Sequence, residues 1–177
     1  MKNMKSSSKS LTSSFFDSKQ KIIGVSIIAT IVVLFVAVFM IVESSYGNWI
    51  VKNKTALKLE YVKTSFVNAD STVKDGIDTG SIATKTTFKK PLEQVNLKLT
   101  ESNLEVRFQF ENSKEMFTDV GFFNDNFKGN INITFEKTDD PNLVKMKIKA
   151  GNGIFQSKTV DCNEEFTINI SEGKIYE

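Results

Sequence analysis

The sequence contains no histidine in its 177 residues. Because histidine serves as the base in Ser-His-Asp triads and Cys-His dyads and as a ligand in most zinc sites, its absence excludes the common forms of all three. No pair of carboxylates stands out as a substitute. We therefore expect no catalytic residues, no metal site and no cofactor, and we expect the protein not to be an enzyme.

Cysteine occurs only once, as Cys162. A single cysteine cannot form an intramolecular disulfide, so its thiol is either buried as a small apolar group or used for a link to another chain. The nearby acids Asp161, Glu164 and Glu165 would raise the thiol pKa, which disfavours a role as nucleophile. We expect burial.

Arginine is equally scarce, with Arg107 as its only occurrence. The first 21 residues hold five lysines and a single acid, Asp17, so the remainder of the chain is slightly acidic. A nucleic-acid-binding protein concentrates positive charge on its folded module, which this chain does not do. The composition predicts no nucleic-acid partner, and no small-molecule substrate is identified.

One apolar run dominates the N-terminal part of the chain. Residues 22–42 are uncharged and mostly apolar, and at about 1.5 Å per helical residue they match a hydrocarbon core of roughly 30 Å. We predict a single transmembrane helix, with the lipid bilayer as its partner. The lysines of residues 1–21 predict a disordered cytoplasmic tail and an external C-terminal domain.

The residues after the predicted helix leave two questions open. We interpret 43–55 as a juxtamembrane neck, in which Tyr46 and Trp49, together with Lys21 before the helix, lie at the membrane interface. Trp49 could equally begin the core of the following domain. The small residues around Tyr46 also allow signal-peptide cleavage, although the apolar run is longer than a usual signal sequence.

Beyond the neck, residues 56–177 show the period of two that is typical of β-strands. Apolar and polar residues alternate in the segments 95–99, 104–110, 131–135, 144–148 and 166–170. A short link between the first two segments predicts a β-hairpin. Residues 57–61 predict an earlier strand, although 55–67 could also be a helical continuation of the neck. Residues 68–81 predict a polar loop and 82–88 a further strand.

Roughly seven short strands with one apolar face each are typical of two packed antiparallel sheets. We therefore predict an all-β extracytoplasmic domain with an Ig-like antiparallel β-sandwich. On one of its strands Lys145, Lys147 and Lys149 alternate with apolar residues, which predicts a solvated face.

An aromatic-rich segment, residues 116–127, lacks clean alternation. Its rings could cap the core of the domain. Alternatively they form an exposed apolar patch, and such patches mark partner-binding sites. The candidate partner-binding residues are Phe117, Phe122, Phe123 and Phe127.

The apolar helix also resembles the N-terminal helix of archaeal pilin-like proteins, including accessory subunits of the archaeal swimming filament. The similarity comprises Gly24-Val25-Ser26, the apolar residues 27–32 and the β domain that follows. It implies a filament subunit that packs its helix into a pilus-like core. Ala29 stands where bacterial pilins carry a glutamate, and the leader before Gly24 is long, so we do not assign the chain to this family.

The expected function is that of a non-catalytic, single-pass cell-membrane protein with its N-terminus in the cytoplasm. Its external β-sandwich would act as an interaction or assembly subunit of a cell-envelope complex, binding other envelope proteins or copies of itself. The alternative is a pilin-like subunit or accessory component of an extracellular filament.

Overall fold

The computed structural model describes residues 19–44, 47–69, 72–93, 95–97, 101–124, 127–152 and 160–177. The chain divides into two compact units, residues 1–42 and 43–177. The first contains most of the one described helix, α1 (Lys19–Ser44). The second contains ten strands: β1 (Asn48–Lys54), β2 (Leu59–Val67), β3 (Thr72–Asp78), β4 (Thr86–Pro91), β5 (Ser102–Phe110), β6 (Met116–Phe123), β7 (Asn130–Lys137), β8 (Leu143–Gly151), β9 (Val160–Asn169) and β10 (Lys174–Tyr176).

Helix α1 is apolar on all sides, as the predicted transmembrane helix requires. Its segment Ile23–Ile41 has a mean hydropathy of 2.9, and none of it is buried against protein. A helix of a soluble protein would hide one apolar stripe against a core and show a polar face to water. The helix is thus long and apolar enough to span a membrane.

The ten strands form one continuous mixed sheet. The strand order is β3-β2-β5-β6-β9-β8-β7-β1-β4, and β10 is added along β9. All neighbouring pairs are antiparallel except β1 and β7, which run parallel. The two halves of the sheet meet at β6 and β9, where, among the described residues, Phe122 pairs with Asp161 and Phe123 with Val160.

Ring distances show that this sheet curls on itself. In a flat sheet β5 and β7 would be roughly 19 Å apart, since four strand spacings of about 4.8 Å separate them. The ring centroids of Phe108 on β5 and Phe135 on β7 are nevertheless 5.1 Å apart. Similarly, Trp49 on β1 lies 6.2 Å from Phe66 on β2, six spacings away along the sheet. Both halves therefore bury their apolar faces in one common core.

The predicted all-β class is confirmed, but the architecture differs from the Ig-like sandwich. One curled mixed sheet, resembling half of a barrel, takes the place of two separate antiparallel sheets. The two ends of the strand order are β3 and β4, and each pairs with one described strand only, β2 and β1 respectively. The parallel pairing of β1 with β7 places the start of the domain between β7 and β4. Local periodicity in the sequence does not predict such long-range pairing.

The predicted hairpin between residues 95–99 and 104–110 is wrong. Both edges of β5 are occupied along its length, by β2 on one side and β6 on the other. Val95 instead forms an isolated bridge with Phe127. Residues 98–100 lie outside the described part of the chain.

Strands β1 and β3 were not foreseen as strands. β1 occupies most of the predicted neck, and β3 lies inside the predicted polar loop 68–81. β3 pairs with β2 through two register shifts, which destroy a simple period of two. The segments 131–135 and 144–148 do lie in β7 and β8, and 166–170 lies in β9 except for its last residue, because regular pairing on both sides preserves alternation.

The assignment of inner and outer faces can be tested by truncating a core ring. Phe108 is fully buried. We expect Phe108→Ala to lower the free energy of unfolding by about 3–5 kcal/mol, through lost burial and a residual cavity. Thr167→Ala, on the half-exposed side of β9, should cost less than about 1 kcal/mol. The fluorescence of Trp49, the only tryptophan and a buried one, would follow denaturant unfolding. If both variants lost the same free energy of unfolding, the assignment of faces would be contradicted.

Candidate interaction surface

The outer face of β6 carries two exposed phenylalanines, the only ones among the described residues of the β domain. Phe117 is 55% exposed and Phe122 is 37% exposed. Among the large apolar side chains described after residue 47, only Tyr176 on β10 is comparably exposed. Asp119 lies between the two rings along the strand and is also exposed. We call Phe117, Asp119 and Phe122 the β6 patch.

A β-bulge at Gly121 turns Phe122 outward and Phe123 inward. Between the pairs Leu104–Val120 and Ser102–Phe123, β5 advances by two residues and β6 by three. The extra residue reverses the alternation of side chains after it. Gly121 has a φ of 66°, and a Cβ added there would lie 2.5 Å from the Cβ of Cys162. Only glycine fits this position.

Arg107 on β5 holds the ring of Phe117 from below. The guanidinium carbon lies 4.7 Å from the ring centroid, a cation–π contact. The Nε of Arg107 donates to Glu105 at 2.6 Å and its Nη2 donates to the other oxygen of that carboxylate at 2.8 Å. These hydrogen bonds raise the pKa of Arg107, so the cation beneath the ring is permanent.

A second carboxylate, Glu115, braces Arg107 from the other side. Arg107 Nη1 lies 3.4 Å from Glu115 Oε1, and the hydroxyl of Tyr61 donates to the same carboxylate. The hydrogen bond from Tyr61 is the main reason that the pKa of Glu115 is lowered. Burial and this hydrogen bond raise the pKa of Tyr61 to about 12. The only arginine of the chain is thus fixed by two acids.

Asp119 in the middle of the β6 patch is not neutralised in this way. It lies directly opposite Glu105 on the neighbouring strand, and like charges so placed repel one another. Partial burial, and then the negative charge of Glu105, raise the pKa of Asp119. No cation among the described residues forms an ion pair with it. The patch therefore presents two apolar rings around a carboxylate that would gain from a partner cation.

The other two predicted partner-binding residues lie in the core, which corrects that interpretation. Phe123 and Phe127 are both fully buried and pack with ring centroids 5.4 Å apart. Phe66 on β2 lies 5.2 Å from Phe123 and 6.2 Å from Phe127. Phe123 is inward because of the bulge, and Phe127 because its backbone bridges Val95. The segment 116–127 thus combines both alternatives: Phe123 and Phe127 are buried in the core, and Phe117 and Phe122 are exposed.

The membrane-interface assignment of Trp49 is also corrected. Its side chain is only 4% exposed and belongs to the core of the β domain, which is the alternative left open by the sequence. Tyr46 lies outside the described residues, as does the side chain of Lys21. Their predicted interfacial positions stay predictions.

The described residues offer no evident centre for metal binding. Within the described ranges, no group of three or more cysteine, aspartate or glutamate side chains is arranged to hold an ion. Two surface depressions, of about 570 and 310 Å³, share Leu57 and Pro141 in their linings. Mostly loop residues line both, and neither contains a strongly buried ionisable group among those that the structure describes.

Comparisons with known proteins found no matching family model, no matching curated protein and no matching solved structure. The β6 patch must therefore be interpreted from its own chemistry.

Cys162 is buried and unpaired, which confirms the prediction of burial. Burial and the nearby carboxylate of Glu164 raise the pKa of the thiol from its ordinary 9.0 to about 12. The reactive form of a cysteine is the thiolate, so the folded protein holds this thiol in an inert state.

We expect Cys162 to react with an aromatic disulfide reagent only after unfolding. In the native protein the thiol should stay protonated and shielded as the pH rises past 9.0, whereas the unfolded chain ionises there. Because the folded pKa is the higher one, the stability that the thiol contributes is complete below pH 9.0 and declines towards pH 12. The absorbance of the aromatic thiolate released from the reagent measures the reaction. Fast labelling of the native protein at neutral pH would contradict the assignment, and Cys162→Ala supplies the blank.

Proposed function

We propose that the chain is a single-pass membrane protein whose β domain is a non-catalytic interaction or assembly subunit of a cell-envelope complex. The β6 patch is the contact surface. In this proposal α1 anchors the protein in the cell membrane, the N-terminal lysines stay in the cytoplasm and the domain lies outside. The two halves of the curled sheet would act as the two layers of a sandwich, with the short β6–β9 contact as their corner.

The observation that carries the proposal is the pair of exposed phenylalanines on an otherwise polar outer surface. Aromatic residues are enriched at the centres of protein interfaces, where a few of them contribute most of the binding energy. The outer face of β5, beside the patch, shows Asn103, Glu105, Arg107 and Gln109. Rings surrounded by polar groups in this way have the composition of an interface core with a polar rim.

The packing around Phe117 favours binding because it fixes the ring before a partner arrives. Arg107 stacks beneath the ring and is itself held by Glu105 and Glu115. A side chain that is already immobilised loses less conformational entropy on association. A merely solvent-exposed phenylalanine would have no such support.

Addition of a partner strand to an open edge is the other way in which a sheet binds protein. The free edges here carry features that natural proteins use against such pairing. β4 has Lys89, Lys90 and Pro91 in its six residues, and β3 pairs with β2 through two register shifts. The face of β6 is therefore the better binding surface.

The role of the β6 patch predicts a separation between binding and stability. We expect Phe117→Ala with Phe122→Ala to weaken complex formation by a hot-spot amount, about 2 kcal/mol or roughly 30-fold, with little change in Tm. A photo-reactive phenylalanine analogue at position 122 should cross-link the partner in cells. Once cross-linking has identified the partner, its recovery in pull-downs from detergent extract, with the wild type and with the double variant, measures the loss of complex formation.

Two control variants make this test specific. Tyr176→Ala removes an aromatic ring of similar exposure from β10 and should leave the complex intact. Phe123→Ala removes a core ring and should lower the Tm. The proposal fails if the Phe117/Phe122 double variant binds like the wild type, or if Tyr176→Ala reduces binding equally.

The proposed topology is tested with a small epitope tag at each terminus. Protease added to intact spheroplasts should remove the C-terminal tag and leave the N-terminal tag protected, because the lysines of residues 1–21 retain the tail on the cytoplasmic side. Detergent lysis should expose both tags. Protection of the C-terminal tag together with loss of the N-terminal one would reverse the orientation.

A further inference from the structure

The strand order separates charges that the sequence mixes. The adjacent strands β4, β1, β7 and β8 contain a single acid, Glu136, and eight lysines: Lys52, Lys54, Lys89, Lys90, Lys137, Lys145, Lys147 and Lys149. The adjacent strands β3, β2, β5, β6 and β9 contain three bases, Lys63, Lys74 and Arg107, and eight acids: Glu60, Asp75, Asp78, Glu105, Asp119, Asp161, Glu164 and Glu165. A nearly neutral domain thus has one basic and one acidic half.

Part of the basic half is neutralised within the molecule by a ladder of ion pairs. Glu136 on β7 accepts from Lys54 at 2.8 Å and from Lys147 at 3.0 Å. Glu165 on β9 lies 2.6 Å from Lys145 and 3.6 Å from Lys147. The hydrogen bonds from these lysines lower the pKa of both carboxylates.

Three further lysines remain on the outer side without an acid. Lys52 is flanked by Thr87 and Thr134 across the strands, and Lys89 by Ile50. Lys149 is flanked by Asn132 and Asn163. None of the three lysines forms an ion pair with a residue that the structure describes. We call Lys52, Lys89 and Lys149 the lysine face.

The acidic half likewise has carboxylates without an ion pair at and beside the β6 patch. Asp161 on β9 pairs across the strands with Phe122 and is exposed, and Asp119 lies further along β6. Neither carboxylate forms an ion pair with a described residue. Two unneutralised acids and two exposed rings are therefore grouped on one surface.

We infer that the lysine face of one copy of this chain binds the β6 patch of a second copy. This inference rests on the proposed function and names its partner. Ammonium groups would pair with Asp119 and Asp161, while lysine side chains lie over Phe117 and Phe122 in cation–π and apolar contact. Complementary potentials of this kind steer association and fix its register.

The contact joins two different surfaces, and a head-to-tail arrangement of copies satisfies it. In that arrangement each added copy keeps one lysine face and one β6 patch free for the next copy. The assembly would therefore continue into a ring or an open row of subunits. An open row is what the filament alternative requires.

Sedimentation velocity of the full chain in an uncharged detergent tests the inference. The wild type should self-associate as its concentration rises at low ionic strength. Raising the salt from about 0.01 M to 1 M shortens the Debye length from roughly 30 Å to 3 Å and should weaken association at least about tenfold. A wild type that is monomeric throughout the low-salt series overturns the inference.

Charge reversal identifies the two surfaces. The variant Lys52→Glu/Lys89→Glu/Lys149→Glu should be monomeric, and so should Asp119→Lys/Asp161→Lys. A mixture of the two should associate again, since each reversed surface then meets an opposite one. The control Lys74→Glu/Lys85→Glu/Lys137→Glu changes the net charge by the same amount as the lysine-face variant, at exposed sites outside both surfaces, and should associate like the wild type.

The outcomes separate this inference from the proposed function. If the reversed variants associate like the wild type, or their mixture stays monomeric, the head-to-tail contact is wrong. If the wild type is monomeric but binds nanodiscs containing phosphatidylglycerol through the lysine face, the occupant is an anionic membrane and the inference is again wrong. In either case a specific cross-link from position 122 to a different protein would still support the proposed function.

Discussion

The packing of phenylalanine rings across the interior is the interaction on which the rest of the structure depends. Phe135 on β7 lies 5.1 and 5.5 Å, centroid to centroid, from Phe108 and Phe110 on β5, although these two strands are far apart in the sheet. Trp49 and Phe66 make the corresponding contact nearer the free edges. An open sheet of ten strands with one exposed apolar face would aggregate. Curling the sheet around these rings removes that face from water.

Curling has a direct consequence for function, because only the outer face and the edges remain available to a partner. The edges are protected by lysines, a proline and irregular pairing. On the outer face, the bulge at Gly121 determines which phenylalanines of β6 are exposed to solvent. Without the extra residue, Phe122 would share the side of Val120 and enter the core. One glycine therefore converts part of a core strand into a candidate binding surface.

The same strand order explains why net charge was uninformative. Along the chain, acids and lysines are mixed closely enough to leave the domain nearly neutral. In space, β1 is inserted between β4 and β7, and this places three lysine-bearing strands beside β8. The internal ladder through Glu136 and Glu165 neutralises some of these lysines, and Lys52, Lys89 and Lys149 remain. Charge complementarity between two surfaces of one molecule appears only after the strands are ordered.

The sequence by itself determined the local features: an apolar helix, the all-β class, the regular strands β7, β8 and β9 and the burial of Cys162. These follow from periodicity and composition, which act over a few residues. Tertiary structure alone decided the curled sheet, the inclusion of Trp49 in the core and the division of the aromatic segment into buried Phe123 and Phe127 and exposed Phe117 and Phe122. Strand partners are chosen by contacts between residues distant in sequence, and a one-residue bulge reverses every side chain after it. Neither effect leaves a local pattern that could have been read in advance.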